Sequence, residues 1–432
     1  MTVNRKITYR LYPNASQEAL LQDMLGLHCR VYNTLLEEHK RRYDHGLPSY
    51  SFKLMCRDLT QWRSRCSLSE VNAQSLQVTA KRVSLAFAAF FRRLKAGEEP
   101  GYPRFKSASR HPGWGYKDHG DGWKLMGNRL RISGVGIIPI RGKGRFTGTP
   151  KTCEIIRKQG KWYASVTFEV EADQLARKAG TGAMAFDWGL KNLLTIARED
   201  GTIETIDNPR FLRTKLDAIK KLQLAVSAEQ ARIKLRLGIP AEAKIPGQSY
   251  TCKLKRLYRQ VSSLHHKIAN QRHDFYHKLS SMLVTTFGAI ATEDLETKEM
   301  VKRPKKQQAE DGTFLPNGAN QKSKLNRDIH DAAPAKLIQM ITHKAEEAGV
   351  WFGLAETKIV KPTQRCHKCG TLVKKELSDR WHTCADGCFI HCDRDENAAR
   401  TLLRWFHEGY FWLGTSHAAG LNRLQETPSI AA

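Results

Sequence analysis

Three acidic residues stand where an apolar run of the sequence meets a turn or the start of a helix. Asp187 lies in AFDWG, Glu293 in ATEDL and Asp395 in DRDENAA. A single acidic residue in such a position is more often a helix cap or a salt-bridge partner than a metal ligand. Three converging carboxylates would repel one another unless divalent cations lay between them. If they meet, we expect two Mg²⁺ ions, one activating water and one stabilising the leaving 3′ oxygen of a phosphodiester.

Half of the cysteines lie in one short segment near the C-terminal end. Four of them have the spacing C-x2-C-x14-C-x3-C, which suits a tetrahedral zinc shell: Cys366, Cys369, Cys384 and Cys388. Four thiolates leave no position for water, so the zinc is expected to be structural. We interpret the three other possible ligands nearby as bystanders: His382, His391 and Cys392.

The charge of the chain points to a polyanionic partner. The sequence has 71 Lys and Arg against 43 Asp and Glu, a net charge of +28. Nucleic acid would neutralise this self-repulsion; a merely soluble basic protein and one that binds anionic membranes are the alternatives. No apolar run of about 18 residues and no signal-peptide core is present, so we expect a cytoplasmic protein, associated with the prokaryotic nucleoid and without a membrane partner. Ten cysteines in that reducing compartment argue against a disulfide framework.

Hydrophobic periodicity predicts the elements of the first part of the chain. Residues 6–12 alternate like a strand, and Asn14 and Gln17 have the spacing of a capping box before a helical segment that extends to Leu94. Residues 101–172 suggest short strands, the clearest at 162–170.

The second part of the chain alternates strands and helices, which predicts one α/β domain. A buried strand at 183–197 should lead into a hairpin at Asp200 and Gly201. The remaining predicted elements are a long helix over 254–283, a strand over 288–292, a mobile loop over 298–326, a helix around Leu337 to Ile341, a strand over 350–360 and a helix over 397–405.

Five short motifs carry a resemblance to a known family. They are YRLYP from Tyr9, GYPRFK from Gly101, GKWY from Gly160, KIANQR from Lys267 and PTQRCHKCG from Pro362. With the acidic residues and the cysteines, they resemble the transposon-encoded TnpB family, which is related to compact type V CRISPR effectors.

The resemblance implies a multidomain α/β and α architecture. A β-barrel wedge domain would cover residues 1–12 and 98–178, and a helical recognition domain residues 13–97. An RNase H-like (RuvC) nuclease domain would cover 179–361 and 393–410, with a zinc-binding insert for target nucleic acid at 362–392 and a tail at 411–432.

The same resemblance implies an RNA-guided, metal-dependent DNA endonuclease associated with a transposable element. The family's three catalytic positions match Asp187, Glu293 and Asp395. We prefer Asp395 to Asp393 because Asp395 lies two residues before the NAA sequence. Arg380 resembles an arginine that reaches the scissile phosphate. The expected partners are a guide RNA and double-stranded DNA beside a short motif, in a monomeric ribonucleoprotein. The C-x3-C knuckle departs from the more usual two intervening residues, which puts the knuckle geometry in question.

Two other functions share this fold and charge. One is an RNA-guided DNA-binding regulator whose nuclease is inactive, and against it stands the intact set of three carboxylates. The other is a transposase that joins DNA strands, because RNase H-like folds with acidic residues also do that work.

Overall fold

A computed structural model describes residues 2–409 except 66, 145, 307, 311, 377, 378 and 386. The chain divides into two compact units, Met1–Leu175 and Ala176–Ala432. The predicted tail, 411–432, lies outside the described residues. Within the part of the chain that is described, no helix is both long and apolar enough to cross a membrane.

The first unit combines a strand, three helices and a run of strands. In chain order its elements are β1 (Thr2–Leu11), α1 (Ala15–Asp44), α2 (Phe52–Arg65), α3 (Ala73–Lys95), β2 (Gly113–Tyr116), β3 (Trp123–Met126), β4 (Arg129–Ile132), β5 (Gly136–Arg141), β6 (Thr149–Lys158) and β7 (Lys161–Glu171).

All seven strands of this unit belong to one sheet, in the order β2-β6-β7-β1-β5-β4-β3. The N-terminal strand therefore lies inside the sheet, antiparallel to β7 from the Thr2 and Glu171 pair onward. The predicted alternation of β7 is confirmed, because Trp162, Ala164 and Val166 are buried in the core. Whether this sheet forms the predicted barrel stays a prediction.

The helices of the first unit have an apolar core of their own, which contains residues such as Leu35, Leu76 and Val83. The predicted capping box is confirmed at the start of α1. Asn14 Oδ1 accepts the backbone N–H of Gln17 at 2.8 Å, and Gln17 Oε1 accepts that of Asn14 at 3.2 Å. Two of the free N–H groups of the first turn are thereby satisfied.

The second unit alternates strands with helices. Its elements are β8 (Ala183–Trp188), β9 (Asn192–Arg198), β10 (Ile203–Asp207), α4 (Leu216–Leu237), α5 (Cys252–Thr286), β11 (Ala289–Glu293), α6 (Thr297–Met300), α7 (Ala319–Ala332), α8 (Pro334–Ala348), β12 (Trp351–Ala355), α9 (Thr357–Val360), β13 (Trp381–Thr383), β14 (His391–Asp393) and α10 (Arg394–Glu408).

Five of these strands form a mixed sheet in the order β10-β9-β8-β11-β12. The first three pair antiparallel, whereas β8, β11 and β12 are parallel. Every residue of β8 and of β11 is buried, which fits strands that are covered by helices on both faces.

Alternate residues of β8 belong to different layers. Met184, Phe186 and Trp188 share a core with side chains of α5, α7 and α8. Ala185 on β8 and Ala291 on β11 instead share a core with Leu402 and Trp405 of α10. Because side chains alternate along a strand, Asp187 points to the same face as Ala185, and Glu293 to the same face as Ala291. The small alanines leave room for α10 over that face.

Several element predictions need correction. The predicted strand 183–197 is two antiparallel strands, β8 and β9, and the predicted strand 350–360 is β12 followed by the short helix α9. Helix α7 begins inside the segment predicted as a mobile loop. Helix α4 has buried residues Ile219 and Ile233 and was not predicted. The hairpin at Gly201, the long helix α5 and the helix α10 are confirmed.

Candidate functional site

Parallel pairing of β8 with β11 brings Asp187 and Glu293 to the same end of the sheet. The register joins Ala183 to Ala289 and Ala185 to Ala291, so its continuation places Asp187 opposite Glu293. The hydroxyl of Thr292 donates to the carbonyl of Phe186 at 2.9 Å and holds the two strands together just before the acidic residues. Both carboxylates are buried, with exposures of 5% and 8%.

The third acidic residue lies in the first turn of α10. Asp393 is the N-cap of this helix, and its Oδ1 accepts the backbone N–H groups of Asp395 at 2.8 Å and Glu396 at 3.4 Å. The Asp393 carboxylate is thus used by the helix, whereas that of Asp395 contacts Arg394 Nε at 3.4 Å. The sequence-based choice of Asp395 over Asp393 agrees with this division of roles and stays a prediction.

Asp187 interacts electrostatically with Glu293 and Asp395, although the three carboxylates do not form a group close enough to hold one metal ion in this structure. Burial raises the pKa of Asp187 well above its ordinary value, and the negative charges of Glu293 and Asp395 raise it further. Burial raises the pKa of Glu293 to about 7, although a hydrogen bond from Thr357 opposes the shift. Among the described residues, no Lys, Arg or His forms an ion pair with Asp187 or Glu293. A divalent cation with oxygen ligands would offset this desolvation and repulsion.

The four predicted cysteine ligands converge. Their sulfur atoms all lie within 4.8 Å of one another. Cys366 Sγ is 3.5 Å from Cys388 Sγ, and Cys369 Sγ is 3.4 Å from Cys384 Sγ. A tetrahedral Zn²⁺ with bonds of about 2.3 Å needs sulfur atoms about 3.8 Å apart, so these four fit the ion. Within the described ranges, they are the only group of three or more His, Cys, Asp or Glu side chains drawn together closely enough to share one metal ion.

The C-x3-C knuckle accommodates its additional residue through a glycine. A β-carbon added to Gly387 would lie 2.8 Å from Cys384 Sγ and 2.9 Å from Cys369 Sγ. Any side chain at that position would therefore collide with two of the four sulfur atoms. The departure from the usual spacing thus leaves the four thiols together.

The three bystanders lie beside this cluster without joining it. His382 is fully buried in β13. His391 stacks on Trp381 with ring centres 5.0 Å apart, and its Nδ1 is 2.8 Å from the Thr383 hydroxyl. Cys392 is half-buried and is outside the group of four.

Arg380 lies between the knuckles, next to the start of α10. Its carbonyl accepts the backbone N–H of Arg394 at 2.8 Å, and Arg394 Nη1 donates to the carbonyl of Asp379 at 2.9 Å. The side chain of Arg380 is exposed and lines a cleft with Lys191, which follows β8. Its predicted role at the scissile phosphate remains untested.

Three family sequence models match the chain. A model described as a probable transposase matches residues 165–304, a Cas12f1-like TNB domain matches 335–402, and a helix-turn-helix domain matches 1–47. A protein of Streptomyces pristinaespiralis, whose name describes it as a candidate RNA-guided DNA endonuclease, is 29% identical over 93% of this chain and 89% of its own length. A similarly named protein of Escherichia coli K12 is 25% identical over 92% of this chain and 91% of its own length.

These matches confirm the predicted resemblance of the chain to the TnpB family. Among solved structures, the chain is similar to a Cas12f1 chain determined in complex with its guide RNA and target DNA. That similarity has a TM-score of 0.48 and 13% identity, over 93% of this chain and 98% of the other. Over the helix-turn-helix match, the structure has the strand β1 and one long helix, α1.

Two neighbours of the carboxylates were not predicted from the sequence. The Thr357 hydroxyl donates to the carbonyl of Asp294 at 2.8 Å, and Thr357 lowers the pKa of Glu293 against the larger effect of burial. Arg394 contacts Asp395 and lowers the pKa of Asp187 against the larger effect of burial. No motif or spacing pointed to Thr357, whereas Arg394 lies inside the DRDENAA motif.

Proposed function

We propose that this protein is an RNA-guided DNA endonuclease that hydrolyses target DNA with Asp187, Glu293 and Asp395 as ligands of two Mg²⁺ ions. The observation that carries the proposal is that β8, β11 and the first turn of α10 bring three acidic residues near enough for the charges of Glu293 and Asp395 to raise the pKa of Asp187. Asp187 and Glu293 are buried, have raised pKa values and form no ion pair with the described residues, and a functional site explains this costly arrangement.

The sheet topology supports an RNase H-like nuclease domain. Numbered along the second unit, its strands have the order 3-2-1-4-5, with strand 2 antiparallel and strands 1, 4 and 5 parallel. The carboxyl ends of strands 1 and 4 carry Asp187 and Glu293. Residues at that end of an open α/β sheet are well placed to meet a ligand outside it.

The residues of the site have distinct roles in this proposal. Bound divalent ions would supply an activated water and neutralise charge on the leaving oxygen. Asp187 and Glu293 orient those ions from adjacent strands, and Asp395 closes the site from the first turn of α10. Asp393 holds that turn, because its carboxylate caps the helix. The fully buried strands under the site limit its movement.

The cysteine cluster and the net charge support the remaining parts of the proposal. Cys366, Cys369, Cys384 and Cys388 would hold a structural Zn²⁺ that stabilises the segment carrying Arg380. A net charge of +28 suits a protein that holds a guide RNA and a DNA target together. Pairing of the guide with the target would then specify the sequence that is cut.

The test is purification of the protein from cells that carry its native flanking DNA, followed by sequencing of the copurified RNA. A plasmid with a matching target should be cut in Mg²⁺ only when that RNA is present. Asp187→Ala should abolish cleavage and keep RNA-dependent target binding, because loss of a metal ligand impairs the hydrolysis step more than it weakens binding of the target.

The matched control is Asp294→Ala, which removes an exposed carboxylate next to Glu293. This variant should cut at the wild-type rate. Cleavage by Asp187→Ala at that rate would contradict the site. Target binding without cleavage by the wild type would indicate a regulator, and joined DNA strands would indicate a transposase.

A further inference from the structure

A basic cleft of about 270 Å³ opens in the second unit next to the three carboxylates. Eight residues line it: Leu190, Lys191, Asn208, Arg210, Arg213, Asp328, Asp331 and Arg380. The roles assigned above leave Lys191, Arg210, Arg213 and Asp331 without a function. Four of these eight side chains are cationic and two are acidic, and the charge of Asp331 is compensated by Arg272, so the cleft keeps a positive charge that suits an anion.

The cleft adjoins the carboxylate site at two places. Leu190 is three residues after Asp187, so their Cα atoms are at most about 11 Å apart. Between them, a β-carbon added to Gly189 would lie 4.0 Å from Asp395 Oδ2. With a rise of about 3.4 Å per nucleotide along a strand, an anion in the cleft lies within a few nucleotides of the carboxylates.

The arginines of the cleft belong to a loop that is tied to the end of β8. Asn208 Nδ2 donates to the carbonyl of Leu190 at 3.0 Å, and Arg210 Nη2 donates to the same oxygen at 3.4 Å. Asn208 Oδ1 also accepts the backbone N–H of Arg210 at 3.1 Å. Arg210 has a φ of 46°, a left-handed conformation that is unfavourable for a side chain of this kind. Such a conformation persists only where the surroundings fix it.

The other end of the loop is held by one buried carboxylate. Asp331, at the end of α7, accepts the backbone N–H of Leu212 at 2.9 Å and that of Arg213 at 3.2 Å. The same carboxylate forms an ion pair with Arg272 of α5 at 3.1 Å, and its exposure is 7%. Asp331 therefore fixes the loop on the helices and has its charge compensated within the protein.

The cations of the cleft are available to a ligand. Lys191, Arg213 and Arg380 are exposed, and none of the carboxylates described in the structure forms an ion pair with them. A fixed loop that presents guanidinium groups can bind phosphate oxygens with defined geometry, because the guanidinium fork matches them. A mobile surface arginine would lose more side-chain entropy for the same contact.

We propose that Lys191 and Arg213 bind a backbone phosphate of the DNA strand being cut, that Arg210 ties their loop to the segment after β8, and that Asp331 positions Arg213. The contact holds the strand in register, so that one phosphodiester bond reaches the carboxylates. This inference rests on the nuclease function proposed above. It adds the residues that determine which phosphodiester bond of the strand is cut.

The test compares Arg213→Gln, Arg213→Lys and Asp331→Asn with the wild-type ribonucleoprotein. Arg256→Gln is the matched control, since Arg256 is an exposed arginine of α5 that does not line the cleft. Cut positions are mapped to single nucleotides, kcat and KM are measured separately, and binding of the target strand is measured over a range of salt concentrations. Retention of the guide RNA and the melting temperature are recorded for each variant.

Arg213→Gln should spread the cuts over neighbouring bonds and raise KM about tenfold, the range for one charge-assisted hydrogen bond. In a plot of the logarithm of the binding constant for the target strand against the logarithm of the salt concentration, the slope should be less steep by about 0.7 to 0.9, the value for one phosphate contact. Arg213→Lys should restore the slope. Asp331→Asn should spread the cuts while keeping most of the slope, because this residue acts through the loop.

Cut positions and a salt slope equal to those of Arg256→Gln would overturn the inference. Loss of guide RNA with an unchanged slope for the target strand would also overturn it, because the cleft would then belong to the RNA. If the wild type binds its target without cutting, the nuclease function fails. The salt slope of Arg213→Gln then still decides whether the cleft contacts a phosphate of the target strand.

Discussion

Replacement of Glu293 by glutamine should stabilise the metal-free protein at alkaline pH and remove cleavage. Burial raises the pKa of Glu293 to about 7, from an ordinary value of 4.5. Between these two values the folded protein keeps a proton that the unfolded chain releases. Stability must therefore fall as the pH rises through that window, and the loss is complete above pH 7. Glutamine has the same shape and no charge, so it avoids the loss.

The size of the effect follows from the two pKa values. With about 1.4 kcal/mol for each pH unit between them, the ionised Glu293 costs about 3 kcal/mol of unfolding free energy. Its exposure of 8% leaves little solvent screening. For a unit of this size, about 2 to 4 °C of melting temperature corresponds to 1 kcal/mol, so Glu293→Gln should melt about 6 to 12 °C higher at pH 8. The charge on Glu293 also opposes ionisation of Asp187, which acts in the same direction.

The assay is thermal unfolding at pH 4.5 to 8, first with EDTA and then with Mg²⁺. In EDTA the variant and the wild type should melt together near pH 4.5 and diverge above it. Mg²⁺ should raise the melting temperature of the wild type more than that of the variant, because ligand binding stabilises only a folded state that can bind. Asp294→Asn, an exposed neighbour, should follow the wild type throughout.

Two results would refute this reasoning. One is a Glu293→Gln protein that is no more stable than the wild type at pH 8 in EDTA. The other is a difference of the same size at every pH, which would indicate altered packing in place of a lost charge.

Four further outcomes are expected. The Mg²⁺ concentration needed for half-maximal cleavage should rise about tenfold for each pH unit below 7, because a proton on Glu293 competes with the metal ion, and a constant Mg²⁺ requirement down to pH 5 would contradict this. Cys366→Ser should lose zinc by elemental analysis, whereas Cys392→Ser, its matched control outside the cluster, should keep the metal. Asp393→Ala should lower the free energy of unfolding by about 0.5 to 2 kcal/mol through loss of the α10 cap, as measured by urea denaturation. Gly180→Ala should destabilise the second unit, because the added β-carbon would lie 1.9 Å from the carbonyl carbon of Thr286, and an unchanged urea midpoint would exclude this contact.

The local patterns of the sequence predicted the features that depend on near neighbours in the chain. The capping box of α1, the alternation of β7 and the long apolar stripe of α5 were correct because each is fixed by residues a few positions apart. The four cysteines were predicted for a related reason, since two short knuckles place their own sulfur atoms. The resemblance to the TnpB family added the order of the domains.

Predictions failed where burial or chain direction is decided by distant residues. The segments 183–197 and 350–360 are continuously apolar, and an apolar run does not mark where one strand ends and a turn or a helix begins. The loop that carries Arg210 and Arg213 gave no periodic signal at all. Its conformation comes from Asp331, which is more than 100 residues away in the sequence.

The sequence by itself determined which residues could hold metal ions, the helices and strands with a clear periodicity, and a positive charge that suits a polyanionic partner. Tertiary structure decided that Asp187, Glu293 and Asp395 share one face, because that depends on the register of β8 with β11 and on small alanines that admit α10. It also separated Asp393, a helix cap, from Asp395. Residues of the same type acquire different pKa values and roles through burial and neighbours, and those are properties of the folded chain.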